Sequence, residues 1–141
     1  MTGRRWTLTA AATIAAGWLA ASAPAIAHHA STPFYDDTKM TEALGTVTRF
    51  LIRNPHSFLY FEGTDAKGQK VEWQVELGAA SSMARTGWTA ETIKPGLLIK
   101  AVGRPSRAEG SYGMCCARIT RPDGSPIVAG AGVTEEQQPP R

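Results

Sequence analysis

The clearest alternation of apolar and polar residues lies in residues 69–77, with the sequence QKVEWQVEL. Val71, Trp73, Val75 and Leu77 occupy every second position, and charged or amide side chains stand between them. Successive side chains of a strand point to opposite faces, so this pattern predicts a strand with one buried face. Trp73 is therefore predicted to lie in the core.

Other segments show weaker versions of the same pattern, separated by Pro- and Gly-containing turns. We predict strands at residues 42–53, 57–63, 69–77, 97–103 and 111–120, with a short further strand near 126–128. Between the third and fourth strands, Ala79 to Arg85 contains helix formers and few β-branched residues, and Gly87 follows. This composition predicts a short helix that ends before Gly87.

This order of elements predicts a mainly β protein. Five or six short strands, with one short helix between strands 3 and 4, are typical of a small OB-like barrel. A small β-sandwich is the alternative. The sequence contains no internal repeat and no glycine-rich nucleotide-binding motif.

The two ends of the chain differ in composition from the middle. Arg4 and Arg5 precede an uncharged stretch, and Ala25-Ile26-Ala27 provides a small-x-small cleavage pattern. This layout predicts a signal peptide over residues 1–27, removed on export to the periplasm, with no stable membrane span afterwards. An uncleaved membrane anchor is the alternative. Residues 129–141 have almost no large apolar side chain and are predicted to be disordered, which leaves 28–128 as one domain.

Charge and cysteine content narrow the classes of partner. The chain has 15 Lys and Arg against 12 Asp and Glu, and Arg4 and Arg5 lie in the predicted signal peptide. No basic patch remains, so we expect no nucleic-acid partner.

Cys115 and Cys116 are adjacent, and strand alternation predicts one buried and one exposed thiol, with Met114 and Cys116 sharing a face. An oxidising compartment would permit a disulfide, although one between neighbours needs a strained turn.

Several short motifs occur in a fixed order along the chain. They are His28-His29, Asn54-Pro55-His56, Val71-x-Trp73, Glu76-Leu77-Gly78, Arg85-x-Gly87-Trp88, Lys94-Pro95-Gly96 and Pro122-Asp123-Gly124. This arrangement resembles a family of small secreted bacterial proteins known as a domain of unknown function, over roughly residues 28–128. The resemblance implies an OB-like barrel and carries over no activity and no catalytic residue. The chain departs from the family pattern at Cys115-Cys116, where aliphatic or small residues are usual, and at Ala30, where Ser is usual.

The histidines form the first candidate site. The chain has three, His28, His29 and His56, and cleavage after Ala27 would make His28 the first residue. A terminal histidine offers its α-amine and its Nδ1 to one metal ion, and a second imidazole completes a nitrogen set that suits Cu(II). The alternative is a flexible, solvated chain start and a His56 at a strand edge that donates to a backbone carbonyl.

The second candidate is a ligand or partner surface. We predict it at Asn54, Glu76, Arg85 and Trp88, joined by the aromatic side chains of the second strand: Phe58, Tyr60 and Phe61. Arg85 is expected to pair with Glu76 across the helix and strand. An aromatic and arginine-containing surface is typical of binding sites.

Together these features predict an exported periplasmic binding or accessory protein without catalytic activity. Its ligand is an unidentified small molecule or periplasmic protein, and no cofactor is implied with certainty. The alternative is a periplasmic copper-binding protein that uses His28, His29 and His56. A third hypothesis is an enzyme with a metal at that site. It is weaker, because general-base chemistry would have to depend on His56.

Overall fold

The computed structural model describes residue 31 and residues 33–128. The predicted signal peptide over residues 1–27 and the predicted tail over residues 129–141 lie outside the described residues. The elements are β1 (Thr41–Leu51), β2 (Ser57–Thr64), β3 (Lys70–Leu77), α1 (Ala80–Arg85), β4 (Leu98–Pro105) and β5 (Gly113–Thr120).

The five strands form a closed barrel in the order β1-β2-β3-β5-β4, with β1 paired to both β2 and β4. Neighbouring strands are antiparallel except β3 and β5, which are parallel. The short helix lies between β3 and β4 in the sequence. The predicted OB-like barrel is thus confirmed, and the β-sandwich alternative is wrong.

The barrel interior is filled by the side chains that alternate inward along each strand. Leu59, Phe61, Val75 and Ile99 are fully buried, and Trp73 is 8% exposed, which confirms its predicted place in the core. The predicted strand near residues 126–128 is reduced to one isolated bridge between Pro126 and Thr120.

The helix α1 and the residues that follow it contact the turn before β2 and the end of β1. The backbone N–H of Ala80 donates to Asn54 Oδ1 at 3.1 Å and to Arg53 O at 3.1 Å, so the turn before β2 holds the start of the helix. Met83 is buried, and Trp88 packs edge-on against Phe50 with ring centroids 6.3 Å apart.

Gly87 has a positive φ of 82° directly after the helix, as its predicted role in ending the helix requires. Among the described residues, no helix is long and apolar enough to cross a membrane.

Candidate functional site

A surface groove of about 1370 Å³ opens beside the parallel pair of strands. β3 and β5 are paired only from Gln74 to Glu76 and from Gly113 to Cys115, and β5 then continues to Thr120. The space beyond this short ladder is bounded by β3, α1, β5 and the chain after β5. We call it the β3–β5 groove; its lining includes Tyr35, His56, Glu76, Met83, Trp88, Cys115, Cys116, Thr120 and Ile127.

Glu76 is a polar residue of this groove whose carboxylate is held by two other side chains. Its side chain is 25% exposed, and both carboxylate oxygens accept hydrogen bonds. Tyr35 donates its hydroxyl to Oε2 at 2.6 Å, and His56 donates from Nδ1 to Oε1. Three residues that are distant in the sequence therefore meet at one carboxylate.

Tyr35 is brought to Glu76 by the segment that precedes β1. Tyr35 forms a bridge with Ser106, and Arg107 binds this segment through its backbone N–H to Phe34 O and through Nε to Tyr35 O. Burial raises the pKa of Tyr35, and the hydrogen bond and charge of Glu76 raise it further. The phenol therefore keeps its proton and acts as a donor at neutral pH.

His56 is placed at the groove by the turn between β1 and β2. Asn54 and Pro55 are joined by a cis peptide bond, and Ser57, which begins β2, donates its backbone N–H to Gly78 O. The His56 side chain is 38% exposed and faces Glu76 at the end of β3. Asn54 has a structural role in this turn, because its Oδ1 accepts a hydrogen bond from the backbone N–H of Ala80 at the start of α1.

Arg85 does not form the expected pair with Glu76. It is the exposed last residue of α1, and Glu76 is bound by Tyr35 and His56 instead. Trp88 is half-buried, and it lines the groove while packing on the core. Of the four residues predicted for the surface, Glu76 and Trp88 come together at this groove.

The aromatic residues of β2 are divided between the two faces of the barrel wall. Phe61 is fully buried in the core and stacks on Trp73, so its expected surface role is wrong. Phe58 and Tyr60 are on the outer face, where Arg53 lies over the Phe58 ring and Arg49 over the Tyr60 ring. Strand alternation explains the division, because Phe61 is one position out of phase with Phe58 and Tyr60.

The two cysteines occupy the β5 wall of the groove. Cys115 is 4% exposed and Cys116 is half-buried, and neither is in a disulfide, although their Sγ atoms lie 3.1 Å apart. Met114 is fully buried in the core, so the expectation that Met114 and Cys116 share a face is wrong. The cause is a register shift in the ladder between β4 and β5, which occurs between Val102 and Arg104 of β4.

The structure describes one of the three predicted copper ligands. His28 and His29 lie outside the described residues, whereas His56 lies in the groove. Within the part of the chain that the structure describes, no group of three or more His, Cys, Asp or Glu side chains could hold a metal ion.

Sequence reasoning missed Tyr35 as a site residue. It stands in a turn-rich segment without periodicity, and no motif singles it out. Its role arises from the backbone bridge to Ser106, which joins positions 71 residues apart. A tyrosine followed by two aspartates in the segment before the first predicted strand is too common a pattern to be informative.

A family profile described as a family of unknown function (DUF6152) matches residues 16–115. This match confirms the resemblance to a domain of unknown function. No curated protein matches the chain, and no solved structure matches it.

Proposed function

The chain belongs to DUF6152, a family of unknown function, and we propose from its own geometry that it is an exported periplasmic binding or accessory protein. In this proposal the β3–β5 groove holds a small molecule or a segment of a periplasmic protein, and the protein catalyses no reaction. The observation that carries the proposal is the half-buried Glu76 carboxylate, fixed by Tyr35 and His56 within the groove.

The composition of the groove supports ligand binding. Small-molecule sites are concave and largely apolar, with a few polar groups held in fixed positions. Met83, Trp88 and Ile127 supply apolar wall, while the hydrogen bonds of Tyr35 and His56 hold the Glu76 carboxylate in one orientation. A ligand would meet preorganised polar atoms and would not have to order them.

An unsatisfied polar atom gives a second argument. Thr120 Oγ1 is buried and, within the described part of the chain, has no hydrogen-bond partner. Thr120 also lines the groove. Buried hydroxyl groups are normally satisfied by protein, water or ligand, so a polar group of a ligand is a suitable partner for this oxygen.

The buried Cys115 thiol is not suited to nucleophilic catalysis, which is consistent with a binding role. The hydrogen bond to Cys116 and burial both raise the pKa of Cys115, the thiol that is paired in register with Glu76. Thiolates are the reactive form of cysteine, so Cys115 is not an activated nucleophile at neutral pH.

Native mass spectrometry of the protein purified from the periplasm of a producing cell tests the binding role. We expect a bound species that is lost in Trp88→Ala and weakened in Glu76→Gln. Leu98→Ala is the matched control, because Leu98 is exposed on the outer face of β4 and does not line the groove. A bound species that survives both groove substitutions would contradict the proposal.

Export is tested separately by cell fractionation and by sequencing the N-terminus of the purified protein. The proposal expects a periplasmic protein that begins at His28, because the predicted signal peptide ends at Ala27. A cytoplasmic protein that retains residues 1–27 would contradict the proposed export and would not affect the proposal that the groove binds a ligand.

Copper binding is the second candidate function, and one hydrogen bond favours it. Metal-ligating histidines usually donate their other ring N–H to a carboxylate, which fixes the ring, and His56 donates from Nδ1 to Glu76 in this way. Ser31 lies in the same groove as His56, and His29 precedes it by two residues.

Titration of Cu(II) against a chelating competitor, with the protein beginning at His28, tests this candidate. Copper binding predicts that His56→Ala lowers the affinity by at least about tenfold, the size of effect seen when one supporting group of a metal site is lost. An affinity equal to that of a free His-His peptide would exclude it.

A further inference from the structure

The Cys115-Cys116 pair occupies a bulge in the ladder between β4 and β5. Lys100 to Val102 pair with Thr120 to Arg118 in one register, and Arg104 and Pro105 pair with Cys115 and Met114 in another. The shift leaves two residues of β5, Cys116 and Ala117, opposite Gly103 alone. This is the arrangement of a β-bulge, in which one extra residue is inserted in one strand.

Cys116 carries the backbone conformation that the bulge requires. Its φ is 53°, and it is the one non-glycine residue with a positive φ in the described part of the chain. Side chains of adjacent residues in a regular strand point to opposite faces. The bulge cancels this alternation, so the two sulfur atoms lie 3.1 Å apart on the same side of the strand.

The neighbouring strand is shaped to accept this bulge. A Cβ atom on Gly103 would lie 2.7 Å from Cys115 O and 2.8 Å from the Ala117 Cβ, so no larger residue fits opposite the cysteines without a shift. Both strands therefore hold the two thiols together, and their proximity does not depend on side-chain rotation alone.

The two sulfur atoms differ in their access to solvent. Cys115 is 4% exposed, whereas Cys116 is half-buried at the groove, with Ser31 Oγ 4.0 Å from its Sγ. Cys115 also keeps its proton, because the hydrogen bond to Cys116 and burial raise its pKa. Cys116 is therefore the thiol that an external reagent meets first.

We propose that Cys115 and Cys116 form a dithiol site that is oxidised reversibly to a vicinal disulfide by exchange with a small-molecule disulfide. The Cys116 thiolate attacks one sulfur of the reagent, forms a mixed disulfide and releases one thiolate, which takes up the Cys116 proton. Cys115 then attacks the Cys116 sulfur and gives its proton to the departing thiolate of the reagent, which leaves as the second thiol. The two cysteines are oxidised, the reagent is reduced to two thiols, and no other oxidant is consumed.

The reversibility follows from the spacing of adjacent residues. Consecutive Cα atoms across a trans peptide are about 3.8 Å apart, which is shorter than the Cα separation of ordinary disulfides. A bond forced into this spacing is more easily reduced than a structural disulfide. The two thiols lie in the wall of the β3–β5 groove, but their oxidation requires no ligand there, so failure of this proposal would leave the proposed binding function intact.

Oxidation with a buffer of oxidised and reduced glutathione, followed by acid quenching and alkylation of free thiols, tests the proposal. Trypsin cleavage after Arg107 and Arg118 places both cysteines in one peptide, residues 108–118. The expected product is this peptide without alkylation and lighter by two hydrogen atoms, restored to the dialkylated form by dithiothreitol. The chain has two cysteines, so an intramolecular disulfide has no other location.

The single variants Cys115→Ser and Cys116→Ser are the matched controls. Cys115→Ser should accumulate the glutathione adduct on Cys116, because the resolving thiol is missing, and Cys116→Ser should react more slowly. The contribution of the fold is measured by repeating the equilibrium in guanidinium chloride. At a fixed glutathione ratio, the equilibrium constant for forming the disulfide should be about tenfold smaller in the denatured chain than in the folded protein.

Three results would overturn the proposal. They are a stable glutathione adduct on the wild-type protein, a disulfide-linked dimer as the main product, or an equal equilibrium constant in the folded and denatured chains. The denatured comparison also removes the concern that a variant fails to fold, because it uses the wild-type sequence in both states.

Discussion

Two ladders of the same barrel differ in regularity, and the difference separates the core from the candidate site. β2 and β3 pair over eight positions in one register, from Ser57 with Leu77 to Thr64 with Lys70. β4 and β5 change register at Gly103, and the groove with its two thiols lies beside this irregular ladder. The regular ladder supplies inward apolar side chains, while the irregular one brings neighbouring side chains to one face.

The physical reason is the period of a strand. An uninterrupted strand sends every second residue inward, so a regular ladder builds a core and cannot bring two consecutive side chains together. A bulge inserts one residue, bends the strand and removes this constraint locally. We therefore expect substitutions in the regular ladder to change global stability most, and those in the irregular ladder to act on local geometry.

The largest expected effect is that of Phe61→Ala in the regular ladder. Phe61 is fully buried and stacks on Trp73, so its removal leaves a cavity that should lower the free energy of unfolding by about 3–5 kcal/mol. Urea denaturation followed by tryptophan fluorescence measures the loss. Phe58→Ala, on the outer face of the same strand, should cost about 1 kcal/mol, and equal losses would refute the division of β2 into two faces.

Gly103→Ala should have the next largest effect, in the irregular ladder. The added methyl group would lie 2.7 Å from Cys115 O, so relief of the clash should cost about 1–3 kcal/mol. Gly78→Ala is the control, because its Cβ would meet Ser82 Cβ at an ordinary 3.6 Å and should change stability by less than about 0.5 kcal/mol. Denaturant midpoints compare the two, and a harmless Gly103→Ala would show that the bulge is not closely packed.

Cys116→Gly should act in the opposite direction. A non-glycine residue at a φ of 53° is strained by roughly 1 kcal/mol, and glycine removes this strain, so stability should rise by up to about 1 kcal/mol. Ala117→Gly changes the buried neighbour of Cys116, which has no positive φ, and should instead lower stability by about 1 kcal/mol. Thermal and urea unfolding distinguish the two signs, and a loss in both variants would count against a strained bulge.

The smallest effect concerns pH and the segment that brings Tyr35 to the irregular ladder. Hydrogen bonds from the hydroxyl and backbone N–H of Thr38 lower the pKa of Asp36 to about 2. The unfolded chain has an ordinary value of about 3.9, so it binds the proton more readily than the folded chain. The stabilisation is present above about pH 4 and is lost as the pH falls towards about 2.

Asp36→Asn should therefore flatten the decline of the unfolding midpoint between about pH 4 and pH 2. Asp65 and Asp123 also have lowered pKa values, from the backbone N–H of Gln69 and the side chain of Ser125 respectively, so part of the decline should remain. Thr38→Ala should resemble Asp36→Asn in its pH profile. A variant profile that parallels the wild type would exclude this contribution.

Most of the fold was predictable because it depends on local patterns. The alternation of β3, the turn at Asn54-Pro55 and the helix before Gly87 each involve residues close in sequence, and their order defines an OB-like barrel. Phe61 lies in the core and not on the predicted surface, because its position within β2 decides its face and its aromatic character does not. Phe61 is two positions from Leu59, so the period of the strand places both side chains on the buried face.

The sequence by itself therefore determined the strands, the short helix, the barrel class and the membership of a family of unknown function. Only the tertiary structure decided which polar groups meet: Tyr35 and His56 at Glu76, in place of the expected Arg85, and Cys115 beside Cys116 on one face. The reason is that burial patterns repeat along a strand, whereas a site depends on register between strands. A shift of one residue, such as that opposite Gly103, reverses the face of a side chain and leaves no mark on the hydrophobic pattern.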